Sequence, residues 1–247
     1  MTGRYHARLT RDPIDIEAAQ RLRYRAFIEQ GGGAPRQDGR DADAFDDICE
    51  HVLVEDRQAD DRLVATFRFL PLTSGAEIGR SYSAQYYDLA ALGDFAQPMV
   101  EMGRFCVAPG VIDPEILRVA WGAMTRFVDT RDVALLFGCS SFHGTDSAVY
   151  ADAFAMLRDR HLAPKRFWPR VKAPNVFRFA ARLRRKPDRV KALKSMPPLL
   201  RSYLTMGGWV SDHAVVDRDL NTLHVFTGLE VGRIPPARAR VLRAIAG

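Results

Sequence analysis

The segment of residues 101–107 reads Glu-Met-Gly-Arg-Phe-Cys-Val and combines an apolar strand pattern with one acid and one base. Prolines border it on both sides, as is typical of a short buried strand. Side chains alternate between the two faces of a strand, so Glu101 is predicted on one face and Arg104 on the other. An ionised group is costly to bury unless it is paired or used. The segment therefore predicts a charged site inside a sheet.

The rest of the chain predicts an α/β (α+β) fold, in which helices flank a mixed, mostly antiparallel sheet. The predicted elements are a helix over 14–29, a hairpin of strands over 51–54 and 63–70, a strand ending at 107, a helix over 114–130, a strand over 133–140, a helix over 144–161, a basic helix over 176–186, a helix over 199–206, and strands over 214–216 and 222–229. We expect one domain over 1–247. Residues 161–205 are predicted to form a basic, proline-interrupted helical insertion within it.

Positive charge is concentrated late in the chain. Residues 165–194 contain twelve Lys or Arg and a single Asp, although the whole chain has a net charge of only +6. Aromatic residues interleave with these cations at Phe167, Trp168, Phe177 and Phe179. The pattern indicates an anionic partner, which could be a membrane surface, an acidic protein or nucleic acid, or it is simply a solvated basic face.

Cysteine content and hydropathy predict the compartment. Cys49, Cys106 and Cys139 are widely spaced and contain no Cys-x-x-Cys pair, which favours reduced thiols and no metal site. The N-terminus lacks the apolar core of a signal peptide, and no apolar run is long enough to span a bilayer. We expect a cytoplasmic protein, with peripheral contact at the inner face of the membrane as a further expectation.

Four motifs in order carry a family resemblance. They are Leu22-Arg-Tyr-Arg-Ala-Phe27, Asp43-Ala-Phe-Asp46, Thr66-Phe-Arg68 and Glu101 to Val107. This series resembles two groups of GNAT-type acyltransferases that use acyl-acyl carrier protein, the acyl-homoserine lactone synthases and the hemolysin-like ornithine N-acyltransferases. Segments 136–146, 196–204, 206–209 and 214–217 favour the second group. The resemblance runs from about residue 16 to residue 230.

The resemblance implies transfer of a 3-hydroxyacyl group from acyl carrier protein to the α-amine of L-ornithine, giving lyso-ornithine lipid. It implies no cofactor beyond the phosphopantetheine arm of the carrier. Glutamine is the alternative acceptor within the family, and a lactone synthase would accept S-adenosylmethionine. A nucleic-acid or membrane-binding module is the non-enzymatic alternative, and it leaves the motifs unexplained.

Residue roles follow from the same resemblance. Glu101 is expected to act as the base, directly or through water, or else to form a structural ion pair with Arg68 or Arg104. Backbone N–H groups at Gly103 and Phe105 would stabilise the oxyanion. The expected residues near the acceptor or supporting the site are Arg23, Asp43, Asp46 and Arg68, with Arg104 at the site itself. A carboxylate for the second ammonium of ornithine could come from Asp43, Asp46 or Asp217.

Partner contacts are expected outside that site. The loop over residues 108–114 contains two prolines, which lack N–H donors, and Asp113, which disfavours the pyrophosphate of coenzyme A. An acidic carrier protein or an anionic membrane would instead meet the basic segment. The residues expected to make that contact are Lys165, Arg166, Arg182, Arg184 and Arg185.

Overall fold

The computed structural model describes residues 3–246 and contains one central mixed sheet. The strands are β1 (Tyr5–Thr10), β2 (Glu50–Asp56), β3 (Arg62–Leu72), β4 (Tyr87–Asp88), β5 (Met99–Val107), β6 (Leu135–His143), β7 (Arg170–Val171), β8 (Val176–Phe177), β9 (Trp209–Val210), β10 (Ala214–Asp217) and β11 (Thr222–Glu230). The sheet order is β1-β2-β3-β5-β6-β11-β10-β8, with β9 paired to β11 and with β4 and β7 forming a separate ribbon. Only β5 and β6 run parallel among these pairs, so the mixed sheet was predicted correctly.

Helices cover both faces of this sheet. They are α1 (Pro13–Arg23), α2 (Pro114–Thr130), α3 (Ala151–Arg160), α4 (Phe179–Arg182), α5 (Arg189–Ser195), α6 (Pro198–Thr205) and α7 (Pro236–Ala246). Asp113 caps α2 by accepting a hydrogen bond from Glu115 N, and Pro114 occupies the first turn, where its missing N–H costs nothing. The buried side of α2 packs Trp121 and Phe127 against the sheet. The predicted helix over 114–130 is therefore confirmed.

The basic helix predicted over 176–186 is wrong. Val176 and Phe177 instead pair with β10 as strand β8, and only the four residues of α4 are helical. Phe179 is fully buried and stacks on Phe154. The aromatic side chains were expected at an interface, but Phe167 and Phe179 lie in the core because the cations beside them can reach solvent while the rings cannot.

Two terminal elements were missed and one helix begins later than predicted. The β1 strand pairs with β2 along its whole length, and α7 packs on α2. Residues 144–161 form a 3₁₀ turn over Ser147–Tyr150 before α3 begins, with Asp146 as the cap. Short polar strands and alanine- and arginine-rich termini carry weak periodicity, which explains these misses.

Candidate active site

A cleft of about 1000 Å³ opens where β5 and β6 separate. The two strands pair only from Met99↔Leu135 to Glu101↔Phe137, and beyond that point they diverge. Gly138 lies at the divergence, and a Cβ there would be 2.3 Å from the carbonyl oxygen of Met102. A side chain at position 138 would collide with β5, so glycine sets how closely the strands approach before they part.

A β-bulge places Arg104 on the same side of the sheet as Glu101. Arg104 has a φ of 55° in the left-handed region, and the register with β3 shifts between Thr66 and Arg68. Met102 and Phe105 consequently both face the α2 side, although strict alternation would separate them. The predicted placement of Glu101 and Arg104 on opposite faces is therefore wrong, because the bulge changes the alternation between them.

Glu101 is buried beneath the cleft and accepts hydrogen bonds from a neighbouring loop. Tyr82 N donates to one carboxylate oxygen at 2.7 Å, while Ser83 N and Ser83 Oγ donate to the other at 2.8 and 2.5 Å. Arg68 and Arg104 pair with Asp43 instead of with Glu101, which overturns the structural ion pair as its alternative role. Desolvation raises the pKa of Glu101 above its usual 4.5, against the opposing effect of its hydrogen bonds and of Arg68.

Three arginines and three aspartates form a compact charged group beside Glu101, which we call the Arg–Asp cluster. Its members are Arg23, Arg68, Arg104, Asp41, Asp43 and Asp46. Arg68 donates to Asp43 at 2.7 Å and to Asp46 at 2.6 Å. Equal numbers of opposite charges make the cluster neutral overall, a condition for burying ions without a large penalty.

Arg104 is a member of the cluster that lines the cleft. Its Nε lies 3.0 Å from Asp41, its Nη2 donates to Asp43 at 3.1 Å, and its Nη1 donates to Tyr82 Oη at 3.2 Å. The guanidinium also lies 4.9 Å from the centre of the Tyr82 ring. These contacts fix a permanent positive charge next to the point where β5 and β6 part.

The structure brings together most of the residues that the sequence nominated. Glu101, Gly103, Arg104, Phe105 and Arg68 line the cleft. The other nominated residues of the Arg–Asp cluster, Arg23, Asp43 and Asp46, support it from behind.

Three residues of the site were missed. Asp41, Tyr82 and Ser83 complete the contacts around Glu101 and Arg104. Ser83 begins a three-residue 3₁₀ turn and Tyr82 immediately precedes it, so no periodicity marks either as a functional position. Asp41 lies in an acidic stretch over residues 38–61, and nothing in the sequence distinguishes it from the other carboxylates there.

The nominated basic residues lie away from the cleft lining. Arg166 pairs with Glu230 at 2.5 Å, and Arg185 pairs with Asp152 at 2.8 Å. Lys165, Arg182 and Arg184 are exposed. Within residues 3–246, no helix has both the length and the apolar character that crossing a bilayer requires.

Known proteins share the fold of this chain. Residues 22–122 match the acetyltransferase (GNAT) domain family. Among solved structures, a CoA-dependent acyl-homoserine lactone synthase, BjaI, superposes with a TM-score of 0.53 at 16% identity, covering 98% of this chain and 89% of that chain. FeeM, an N-acyl amino acid synthase from uncultured soil microbes, superposes with a TM-score of 0.50 at 12% identity, covering 99% of this chain and 98% of that chain. The fold and the matched domain place the chain among GNAT-like proteins.

Sequence relatives narrow the class. The L-ornithine N(alpha)-acyltransferase of Rhodobacter capsulatus is 38% identical over 229 residues, which cover 90% of this chain and 88% of that protein. The Brucella abortus protein of the same name is 31% identical over 244 residues, covering 94% of this chain and 86% of that protein. The chain belongs to the L-ornithine N(alpha)-acyltransferase family, which confirms the resemblance of its motifs.

Proposed function

We propose that the chain transfers a 3-hydroxyacyl group from acyl carrier protein to the α-amine of L-ornithine and so produces lyso-ornithine lipid. The observation that carries the proposal is similarity of 30–38% identity, over 90% or more of this chain, to proteins named L-ornithine N(alpha)-acyltransferase. The cleft supports it, because the buried carboxylate of Glu101 lies at the strand divergence and pairs with no arginine of residues 3–246.

Glu101 is the proposed proton acceptor. The amine nitrogen must lose a proton to attack the thioester carbonyl, and a base works best when its pKa approaches the operating pH. Burial shifts the pKa of Glu101 in that direction. The α-ammonium first gives one proton to solvent, which leaves a neutral amine. As the C–N bond forms, Glu101 takes a second proton from the nitrogen, directly or through water. When the C–S bond breaks, Glu101 returns this proton to the departing sulfur, and the carrier leaves as a free thiol.

The free edge of β5 is the proposed oxyanion site. Past Glu101, β6 no longer pairs with β5, so that edge of residues 102–107 borders the cleft. Backbone N–H groups near Gly103 and Phe105 would stabilise the negative oxygen of the tetrahedral intermediate. The fixed charge of Arg104 adds to the same effect.

The loop before α2 supports a carrier protein as the donor. Pro109 and Pro114 have no N–H, while Ala108 N and Val111 N already donate to backbone carbonyls. The Asp113 carboxylate accepts from Glu115 N at the helix start, and its pKa is lowered chiefly by that bond. A pyrophosphate would find few donors and one negative charge here, which disfavours coenzyme A.

Docking of the acidic carrier is proposed at the basic segment. Val190 is 77% exposed on α5 between Arg189 and Lys191, so an apolar contact is available among cations. Such a surface suits an acidic protein helix, and an anionic membrane would meet the same charges.

The function is tested with purified protein, 3-hydroxyacyl carrier protein and single amino acids. We expect ornithine to release the free carrier thiol and to yield an α-N-acylated product by mass spectrometry. Thiol release with glutamine or S-adenosylmethionine, but not with ornithine, would overturn the proposal that ornithine is the acceptor. If 3-hydroxyacyl-coenzyme A reacted as fast as the 3-hydroxyacyl carrier protein, the proposal that the carrier protein is the donor would be overturned.

A further inference from the structure

The hairpin of β10 and β11 presents three polar side chains to the cleft from one face. Asp217 pairs with Thr222, and Val215 pairs with His224, so these residues share a side of the ribbon. Asp217, Thr222 and His224 all line the same cleft as Glu101. All three lie beyond residue 122, outside the matched GNAT domain.

His224 offers an unused acceptor. Tyr87 Oη lies 2.8 Å from the carbonyl oxygen of His224 and 3.2 Å from its Nδ1. We assign the hydroxyl hydrogen to the carbonyl, which can only accept and makes the shorter contact, and this assigns the ring hydrogen to Nδ1, toward Tyr87. That tautomer leaves a lone pair on Nε2, which is buried and has no partner within residues 3–246. Burial also lowers the pKa of His224 to about 3, so the ring is neutral.

Thr222 Oγ1 is likewise buried and unpartnered within the described chain. Asp217 is 7% exposed, and one of its oxygens accepts from Leu220 N at 3.0 Å. No cation of residues 3–246 pairs with this carboxylate, whereas Asp43 and Asp46 are both bound by arginines. Of the three carboxylates that the sequence left open, only Asp217 remains available to a ligand.

We propose that Asp217, Thr222 and His224 form a subsite for the side-chain ammonium of a diamino acid. An ammonium has three donors, and the hairpin supplies three acceptors, one of them a carboxylate that offsets the charge. This inference rests on the proposed function and assigns its acceptor specificity. Neutral glutamine would leave the Asp217 charge unpaired, which penalises binding.

Asp217→Asn tests the subsite, because its amide oxygen can still accept from Leu220 N. The substrates are ornithine and norvaline, which has the same carbon chain without the ammonium. We expect the variant to lose roughly 10- to 100-fold in kcat/KM for ornithine, mainly through KM, and to keep its rate with norvaline. Asp219→Asn, exposed in the same turn, is the matched control and should behave as wild type.

Calorimetric binding of ornithine without the carrier separates the two proposals. If the wild type binds ornithine and Asp217→Asn binds it more weakly, but neither turns it over, the proposed function alone is overturned. The subsite alone would be overturned if Asp217→Asn turned over ornithine as fast as the wild type. An equal loss of kcat/KM for ornithine and norvaline would overturn it as well. Absence of both binding and turnover would overturn both, and circular dichroism establishes that each variant is folded.

Discussion

Asp46→Asn is the most informative perturbation of the Arg–Asp cluster. Asp46 is 4% exposed and accepts from Arg23 Nη1 and Nη2 at 2.9 and 2.8 Å and from Arg68 Nη1 at 2.6 Å. Gln20 donates a fourth hydrogen bond at 2.9 Å. The substitution would leave one buried positive charge uncompensated and would turn an NH₂ group toward existing donors.

The expected loss is about 3 to 5 kcal/mol of the free energy of unfolding, the cost of removing one partner from a buried ion pair. Urea unfolding followed by tryptophan fluorescence measures it. Asp38→Asn is the control, because Asp38 lies on the surface of the same acidic stretch, and its unfolding midpoint should not move. A loss below about 1 kcal/mol for Asp46→Asn would refute the view that the members of the cluster depend on one another for their burial.

The difference in free energy of unfolding between the wild type and Asp46→Asn should also depend on pH, and the direction of that dependence follows from the pKa of Asp46. Desolvation would raise the pKa of Asp46, but the hydrogen bonds of Arg23 and the charges of Arg23 and Arg68 outweigh it and hold the pKa well below the usual 3.8. A carboxylate with a lowered pKa stabilises the fold above its unfolded pKa, and this stabilisation fades as pH falls toward the folded pKa. The difference should therefore be constant from pH 7 to about 4 and shrink below pH 3.8.

Three further outcomes follow from the site. Glu101→Gln should lower kcat by roughly 100-fold or more while the protein remains folded. The acidic limb of the wild-type pH profile should lie above pH 4.5, because the pKa of Glu101 is raised. Normal turnover by the variant would show that Glu101 does not transfer the proton. Gly138→Ala should reduce kcat/KM because the added Cβ would lie 2.3 Å from Met102 O, whereas Gly79→Ala, with open space, should not; equal rates would show that the divergence does not depend on this contact. Glutamate at positions 182, 184 and 185 in place of arginine should weaken carrier or liposome binding in a salt-dependent way; unchanged binding of both would leave the segment a solvated face.

Strand and helix positions were predictable where hydrophobic periodicity is strong. The hairpin of β2 and β3, the strand β5 and the helix α2 follow from such patterns. The gathering of Arg23, Asp46 and Arg68 was accessible only through motif resemblance, because these residues lie on separate elements. Burial then explains their proximity, since none could enter the core without the others.

The side of the sheet occupied by Arg104 was not predictable. Arginine rarely adopts a positive φ, and nothing in Glu-Met-Gly-Arg-Phe indicates a bulge at its fourth residue. The bulge depends on pairing with β3 and on the Asp41 and Asp43 contacts, which are distant in sequence. The polar face of the β10–β11 hairpin was hidden for a related reason. Asp217, Thr222 and His224 can be recognised as a group only from the structure, which shows that they line one cleft and that Thr222 Oγ1 and His224 Nε2 lack partners within residues 3–246.

The position of β11 in the sheet has a consequence for biosynthesis. This strand lies between β6 and β10, yet it comprises residues 222–230 of a 247-residue chain. While the ribosome is still adding those residues, β6 is anchored to β5 by only three residue pairs, and its other edge is open. An unpaired edge in a half-made sheet invites pairing with another chain. A nascent chain that stops before Thr222 should therefore be a target for chaperones or proteases, because the nine pairs of β6 with β11 that cover this edge cannot form without residues 222–230.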